Sequence, residues 1–150
     1  YGVYKINVQV NDDGRAKPMD PTLRATLFRA VRELLINVAK HAHVDHAMVS
    51  LQCVGEKAMS VTVNDSGAGF DPELVATGSD RGGFGLISLR ERIGLLGGSV
   101  AIHSVPGDGT AVTLTMPLLD EKSTGEGMVS DPGSAEHVGK PTGSRRRTSK

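Results

Sequence analysis

The chain has 150 residues, with 17 basic and 17 acidic side chains and an aromatic content of 3%. That length suits one domain, able to bury about two-thirds of the surface it exposes when unfolded. Balanced charge and scarce aromatics advertise neither a nucleic-acid partner nor an anionic-membrane contact, and they count against base-stacking platforms. A single cysteine, Cys53, excludes a disulfide framework and fits a reducing compartment. No run approaches about eighteen consecutive apolar residues, and Tyr1-Gly2-Val3-Tyr4 is not a signal peptide. With no initial Met and a start inside a strand pattern, the chain reads as a piece of something longer.

Across residues 3–10, Tyr4, Ile6, Val8 and Val10 alternate with polar neighbours, which predicts a strand that ends at Asn11-Asp12-Asp13-Gly14. Asp20 as N-cap and Pro21 at the first helical position then start a helix that runs to Ala42. Its apolar residues Leu27, Val31, Leu34, Leu35, Val38 and Ala42 recur at helical spacing. Beside them Glu33, Asn37 and Lys40 fall within about 60° of one another on the helical wheel. Charges on a helix usually face solvent, but Asn is a poor mid-helix residue where a plain surface would favour Lys or Glu. His41, His43 and His46 follow at the helix end, without a Cys or carboxylate set at zinc spacing. Residues 47–54 and 58–64 predict a hairpin around Gly55-Glu56-Lys57.

The second strand of that hairpin runs into Asp65-Ser66-Gly67-Ala68-Gly69-Phe70. A carboxylate at a strand end can accept a hydrogen bond from an exocyclic amine, and glycines beyond it let backbone approach a flat ring closely. Asp-x-Gly also makes ordinary turns, so this stretch alone does not decide. Residues 70–81 are polar and aperiodic, and they predict a mobile loop. Gly82-Gly83-Phe84-Gly85 comes next, and Leu86, Leu89, Ile93 and Leu96 resume helical spacing up to Gly97-Gly98. A glycine-rich loop that opens a helix suits phosphate, because free backbone N–H groups and the positive helix end face the anion; it is equally a plain loop–helix junction. Residues 99–104 and 110–116 predict a closing hairpin that turns at Pro106-Gly107-Asp108-Gly109, and Pro117 ends the ordered part. The expected organisation is a domain over 1–118 and a disordered tail over 119–150, rich in Gly, Ser, Thr, Pro and charge.

A Rossmann fingerprint fails because Pro72 stands where its third glycine should fall, and a P-loop fails for want of Gly-Lys-Ser/Thr. The order that remains is Glu33-x-x-x-Asn37 on a helix, Asp65-x-Gly67-x-Gly69 after a strand, a loop, and Gly83-x-Gly85 opening a helix. This resembles the ATP-binding domain of the histidine kinase, Hsp90, DNA gyrase and MutL superfamily. The likeness is greatest to sensor histidine kinases related to the nitrate and lipid-fluidity sensors. It is carried by Arg32-Glu33-Leu34-Leu35-Ile36-Asn37-Val38-Ala39-Lys40-His41-Ala42, by Asp65 to Phe70, and by Gly83-Phe84-Gly85-Leu86-Ile87-Ser88-Leu89-Arg90-Glu91-Arg92. A closing stretch over 107–117 completes it, and the whole covers residues 2 to 118, with Leu89 where that subfamily often has Met.

The resemblance implies an α+β fold, a two-layer α/β sandwich whose mixed, mostly antiparallel sheet is backed by helices. It implies ATP and Mg²⁺ as cofactors. Asp65 would bind the adenine amino group, with Gly67, Gly69 and Phe70 shaping the base pocket and Thr110 helping through a water. Asn37 would hold Mg²⁺, with Glu33 as acid/base or water-positioning carboxylate and possible second metal contact. Lys40 and His41 would sit near the phosphates, and residues 71 to 85 would form a lid, with Gly83, Phe84, Gly85 and Leu86 at the phosphate end. The implied reaction is γ-phosphoryl transfer to a histidine on a separate dimerisation/phosphoacceptor helical domain, followed by a response regulator, in the cytoplasm. Any membrane anchor would belong to upstream segments. No helical pattern precedes residue 2, so the chain reads as a catalytic half without its acceptor. Two other readings share the motifs, an anti-sigma-factor-type serine kinase and a nucleotide-gated interaction module; Leu89-Arg90-Glu91-Arg92 and the retained Glu33–Asn37 pair favour the histidine kinase.

Overall fold

A computed structural model describes residues 4–77 and 83–120. The sheet has the order β1-β2-β3-β5-β4, built from Asn7–Asp12 (β1), His46–Val54 (β2), Ala58–Asp65 (β3), Ser99–Ser104 (β4) and Thr110–Pro117 (β5). Only β1 runs parallel to its neighbour; β2–β3, β3–β5 and β5–β4 are antiparallel. Helices α1 (Pro21–Asn37), α2 (Pro72–Ala76) and α3 (Gly83–Leu95) cover one face. This is the expected two-layer α+β sandwich.

Alternation in the strands decides which face is covered. Met59, Val61 and Val63 of β3 and Val112, Leu114 and Met116 of β5 are buried toward the helices. Their partners on the other face, Ser60, Thr62, Thr113 and Thr115 among them, are small and polar, and Thr62 shares a 2.9 Å hydroxyl–hydroxyl hydrogen bond with Thr113. From α1 the core takes Leu27, Ala30 and Leu34, and from α3 it takes Leu86, Leu89 and Ile93. Burying each of these Leu or Ile side chains contributes about 1.5–3 kcal/mol. Val31 and Leu35, expected on the core stripe, are half-buried, and Ala30 sits at the contact instead, because a small residue lets the helix lie close to the sheet.

Three expectations change. The first strand occupies Asn7–Asp12 rather than 3–10, and all six residues are exposed, because β1 is an edge strand outside the helical cover. Within the stretch read as an aperiodic loop, α2 forms over Pro72–Ala76; Asp71 caps it by accepting from Glu73 N–H at 2.9 Å, and Val75 is buried. The second expected helix begins at Gly83 rather than Leu86, so Gly83 and Gly85 of the expected loop stand in its first turn. Residues 78–82 of the expected lid, and all but the first two residues of the expected tail, lie outside the described residues.

The end of the edge strand is tied down by charge. Lys17 Nζ lies 2.6 Å from both Asp12 Oδ1 and Asp13 Oδ1 and donates to Arg15 O, while Asp13 Oδ2 accepts from Cys53 N–H on β2 at 2.6 Å. The Lys17 ammonium, then the Cys53 amide, hold the Asp13 carboxyl well below its ordinary 3.8. Asp12 and Asp13 in turn raise Lys17 above 10.5. The carboxylate contribution is therefore complete above pH 3.8 and is lost as the pH falls through the depressed value. The lysine contribution is complete below pH 10.5 and is lost as the pH rises beyond it. Replacing Lys17 with Met should lower the urea midpoint at pH 7, and its gap from the parent should narrow as the pH is taken below 3.8.

Candidate nucleotide-binding site

The helix that starts at Pro21 changes character before it ends. Asp20 caps its start by accepting from Thr22 N–H at 2.8 Å, as its sequence predicts. At Val38–Ala42 the helix widens into a π-helical turn, and His43 stops it with a left-handed φ of 57°. That stop frees the Ala42 carbonyl, which accepts Ala68 N–H at 2.8 Å from the loop after β3. Gly67 is pressed against the same spot, and a Cβ there would collide with the Ala42 carbonyl and side chain. Gly69 has φ of 60°, and a Cβ there would collide with the Val105 carbonyl. Both glycines are thus required by the packing of the loop itself.

Asp65, the last residue of β3, lies on the covered face and is 8% exposed. Its Oδ1 accepts from Gly67 N–H at 2.9 Å. Thr110 is its register partner at the start of β5. Ser104, which the sequence did not single out, ties the two sides together. Its hydroxyl accepts from Phe70 N–H at 2.9 Å and donates to Gly109 O at 3.1 Å. With that one proton committed, the Thr110 hydroxyl is the donor in their 2.8 Å bond, and Thr110 Oγ1 keeps its accepting lone pair free. Asp65 and Thr110 are therefore both acceptors.

They face a cavity of about 410 Å³. Its walls are mainly apolar, with Leu34, Val38, Val63, Val75, Leu86 and Val112 among them, and Asn37, His41, Gly69 and Phe70 also line it. Of the residues expected at the site, the structure brings together Asn37, His41, Asp65, Gly69, Phe70, Leu86 and Thr110. Gly67 lies behind the wall. Glu33 points instead to α3, where its Oε2 accepts from Arg92 Nη2 at 2.7 Å, and Lys40 places its ammonium 5.8 Å from the centre of the Tyr4 ring. Gly83, Phe84 and Gly85 form the first turn of α3, whose N–H groups have no partner within the helix. Chemically the site offers an amine-accepting carboxylate in the wall of a mainly apolar cavity, which an amide side chain also lines.

Residues 22–120 match the family described as histidine kinase-, DNA gyrase B-, and HSP90-like ATPase. The chain belongs to this family. Among curated relatives it is 33% identical over 117 residues to the signal transduction histidine-protein kinase/phosphatase DegS of Brevibacillus brevis, covering 78% of this chain and 29% of that protein. It is 36% identical over 117 residues to the oxygen sensor histidine kinase NreB of Staphylococcus carnosus, covering 78% and 33%. The chain thus spans a third or less of the length of each of these relatives. The histidine kinase domain of the Erythrobacter litoralis EL346 blue-light activated kinase shares the fold, with a TM-score of 0.60 at 23% identity over 76% of this chain and 52% of that one. The family match takes in every residue that lines the cavity, whereas β1 and the Lys17 cluster precede it.

Because Gly67 meets backbone that cannot easily yield, Gly67→Ala should destabilise the chain by about 1–3 kcal/mol. Gly94, inside α3, has nothing within 4 Å of the place an added methyl would take, and Gly94→Ala should stabilise by about 0.5–1 kcal/mol. Urea unfolding of the two variants side by side checks the contrast.

Proposed function

We propose that this chain binds Mg-ATP in the cavity and transfers the γ-phosphoryl group to a histidine of a separate dimerisation/phosphoacceptor helical domain, as the catalytic part of a two-component sensor kinase. The observation that carries the reading is the buried Asp65 in the wall of a mainly apolar cavity, with an accepting Thr110 as its register partner. An adenine offers an amine to such a pair and a flat apolar face to the walls. A volume of this size is also that of a small-molecule site. Family membership and the names of the relatives support the transfer chemistry.

In this reading Asp65 orients the base, Gly67 and Gly69 hold the loop around it, and Phe70 and Leu86 exclude water. Asn37, one turn beyond Glu33 and on the cavity wall, would hold Mg²⁺ through its side-chain oxygen, and the ion would supply neutralisation of phosphate charge there. His41 faces the phosphates from the helix end, Lys40 would have to leave the Tyr4 ring to join it, and the first-turn amides at Gly83, Phe84 and Gly85 face them from α3. Glu33 holds a proton or a water near the γ-phosphate. A response regulator would take the phosphoryl group from the acceptor domain. Among the described residues no helix is long and apolar enough to cross a membrane.

Asp65→Asn keeps an oxygen for Gly67 N–H but loses the charge. It should weaken ATP binding by about 1.5–3 kcal/mol, roughly tenfold to a hundredfold in Kd, by calorimetry. Equal affinities would remove adenine from the site. In the same measurement Asn37→Ala should lose the Mg²⁺ dependence of binding, whereas Glu33→Gln should keep affinity and slow turnover. The chain alone should not label itself from γ-labelled ATP, since positioning of a nucleophile cannot be replaced by tighter nucleotide binding. A histidine-bearing helical hairpin added as a second polypeptide should become labelled with an acid-labile phosphate; an acid-stable phosphoserine would point to a serine kinase.

A further inference from the structure

Glu33 and Arg92 are 59 residues apart, on α1 and α3, and meet through one hydrogen-bonded ion pair: Arg92 Nη2 donates to Glu33 Oε2 at 2.7 Å. Arg92 is itself braced by its own helix, with Nε donating to Ser88 O at 3.4 Å. The other carboxylate oxygen, Glu33 Oε1, faces the first turn of α3: it is the atom nearest a methyl placed on Gly85, at 3.4 Å. The side chains are 45% and 35% exposed, and a pair so open to water adds little to stability. Its larger effect is geometric. Holding Oε2 removes the free rotation of the carboxylate and leaves one defined oxygen turned toward the helix start.

We infer that Arg92 is a positioning residue, whose guanidinium fixes the Glu33 carboxylate so that Oε1 addresses the phosphate end of the site beside Gly85. This rests on the assignment of Glu33 to the transfer step proposed above. It adds a residue to the site that touches neither the base nor the cavity wall. A fork-shaped guanidinium suits the task better than an ammonium, because its planar donors keep a fixed direction.

Two measurements on the 150-residue chain test it. The first needs no turnover: nitrogen-detected NMR should show the Arg92 Nη groups in slow rotation in the parent, and averaged in Glu33→Gln. Free rotation in the parent would overturn the inference. The second is ATP hydrolysis by the parent, Glu33→Gln, Arg92→Ala, Arg92→Lys and the double variant, each with its unfolding midpoint. Arg92→Ala should lower kcat about tenfold to a hundredfold with KM and midpoint unchanged. Arg92→Lys should restore part of the loss, and Arg92→Ala should cost nothing further when Glu33 is already Gln. If Glu33→Gln slows hydrolysis and Arg92→Ala does not, the positioning role is wrong and the role of Glu33 stands. If Glu33→Gln changes nothing, the assignment of Glu33 fails and the inference with it. An equal loss from Arg92→Ala with and without the Glu33 carboxylate would show that Arg92 acts on something else.

Discussion

Asp65 faces the cavity only because the chain leaving it is caught between two other stretches of backbone. On one side the Ala42 carbonyl takes Ala68 N–H, with Gly67 in contact. On the other, Gly107 N–H donates to Ala68 O at 2.6 Å, and Gly109, at φ 85°, presses on the Asp65 carbonyl. At Gly67 and Gly109 the neighbouring backbone leaves no room for a Cβ. Each hydrogen bond there is worth about 1 kcal/mol net. The site therefore depends on where the first long helix stops. Had α1 continued past Ala42, the carbonyl that holds the loop would have been used within the helix.

The sandwich follows from the same economy of contacts. One face of the sheet carries aliphatic residues and takes the helices, while on β3 and β5 the other carries mainly Ser, Thr and Ala. The edge strand β1 has apolar residues but none that is buried, and its backbone ladder with β2 holds it, with the Lys17–Asp13–Cys53 link just past its end.

Much of this was legible in the sequence because it is local. Period-two and helical patterns placed four of the five strands and both long helices, and the motif residues Asn37, Asp65, Gly69, Phe70 and Thr110 do converge on one cavity. Helix α2 was also legible: Asp71-Pro72 repeats the Asp20-Pro21 start signal, with the same capping bond. Its five residues are too few to display a period, which is why pattern alone misses it. Alternation misplaced the edge strand, since alternating residues need not be buried. What sequence reasoning had no means to find were partners set by the fold: Ser104 against Phe70 across 34 residues, and Arg92 against Glu33 across 59. Gly67 was noticed for a different reason, close approach to a ring, and proves necessary for its contact with Ala42.

The polar stripe of α1 shows how a change of helical pitch sorts residues that a wheel puts together. Glu33, Asn37 and Lys40 lie within about 60° if the helix is α throughout. Each π-helical residue, bonded to i+5, turns by less than the roughly 100° of an α-helical one. From Val38 onward the side chains therefore lag behind their expected positions. Lys40, three residues past Asn37, falls further from it and reaches the Tyr4 ring, whereas His41, four residues past, stays beside it on the cavity wall. Glu33 precedes the change and remains in register with α3, where Arg92 meets it. One widened turn thus sends an acid, an amide and a base to three different neighbours, and it is the same turn that brings the Ala42 carbonyl to the loop after Asp65.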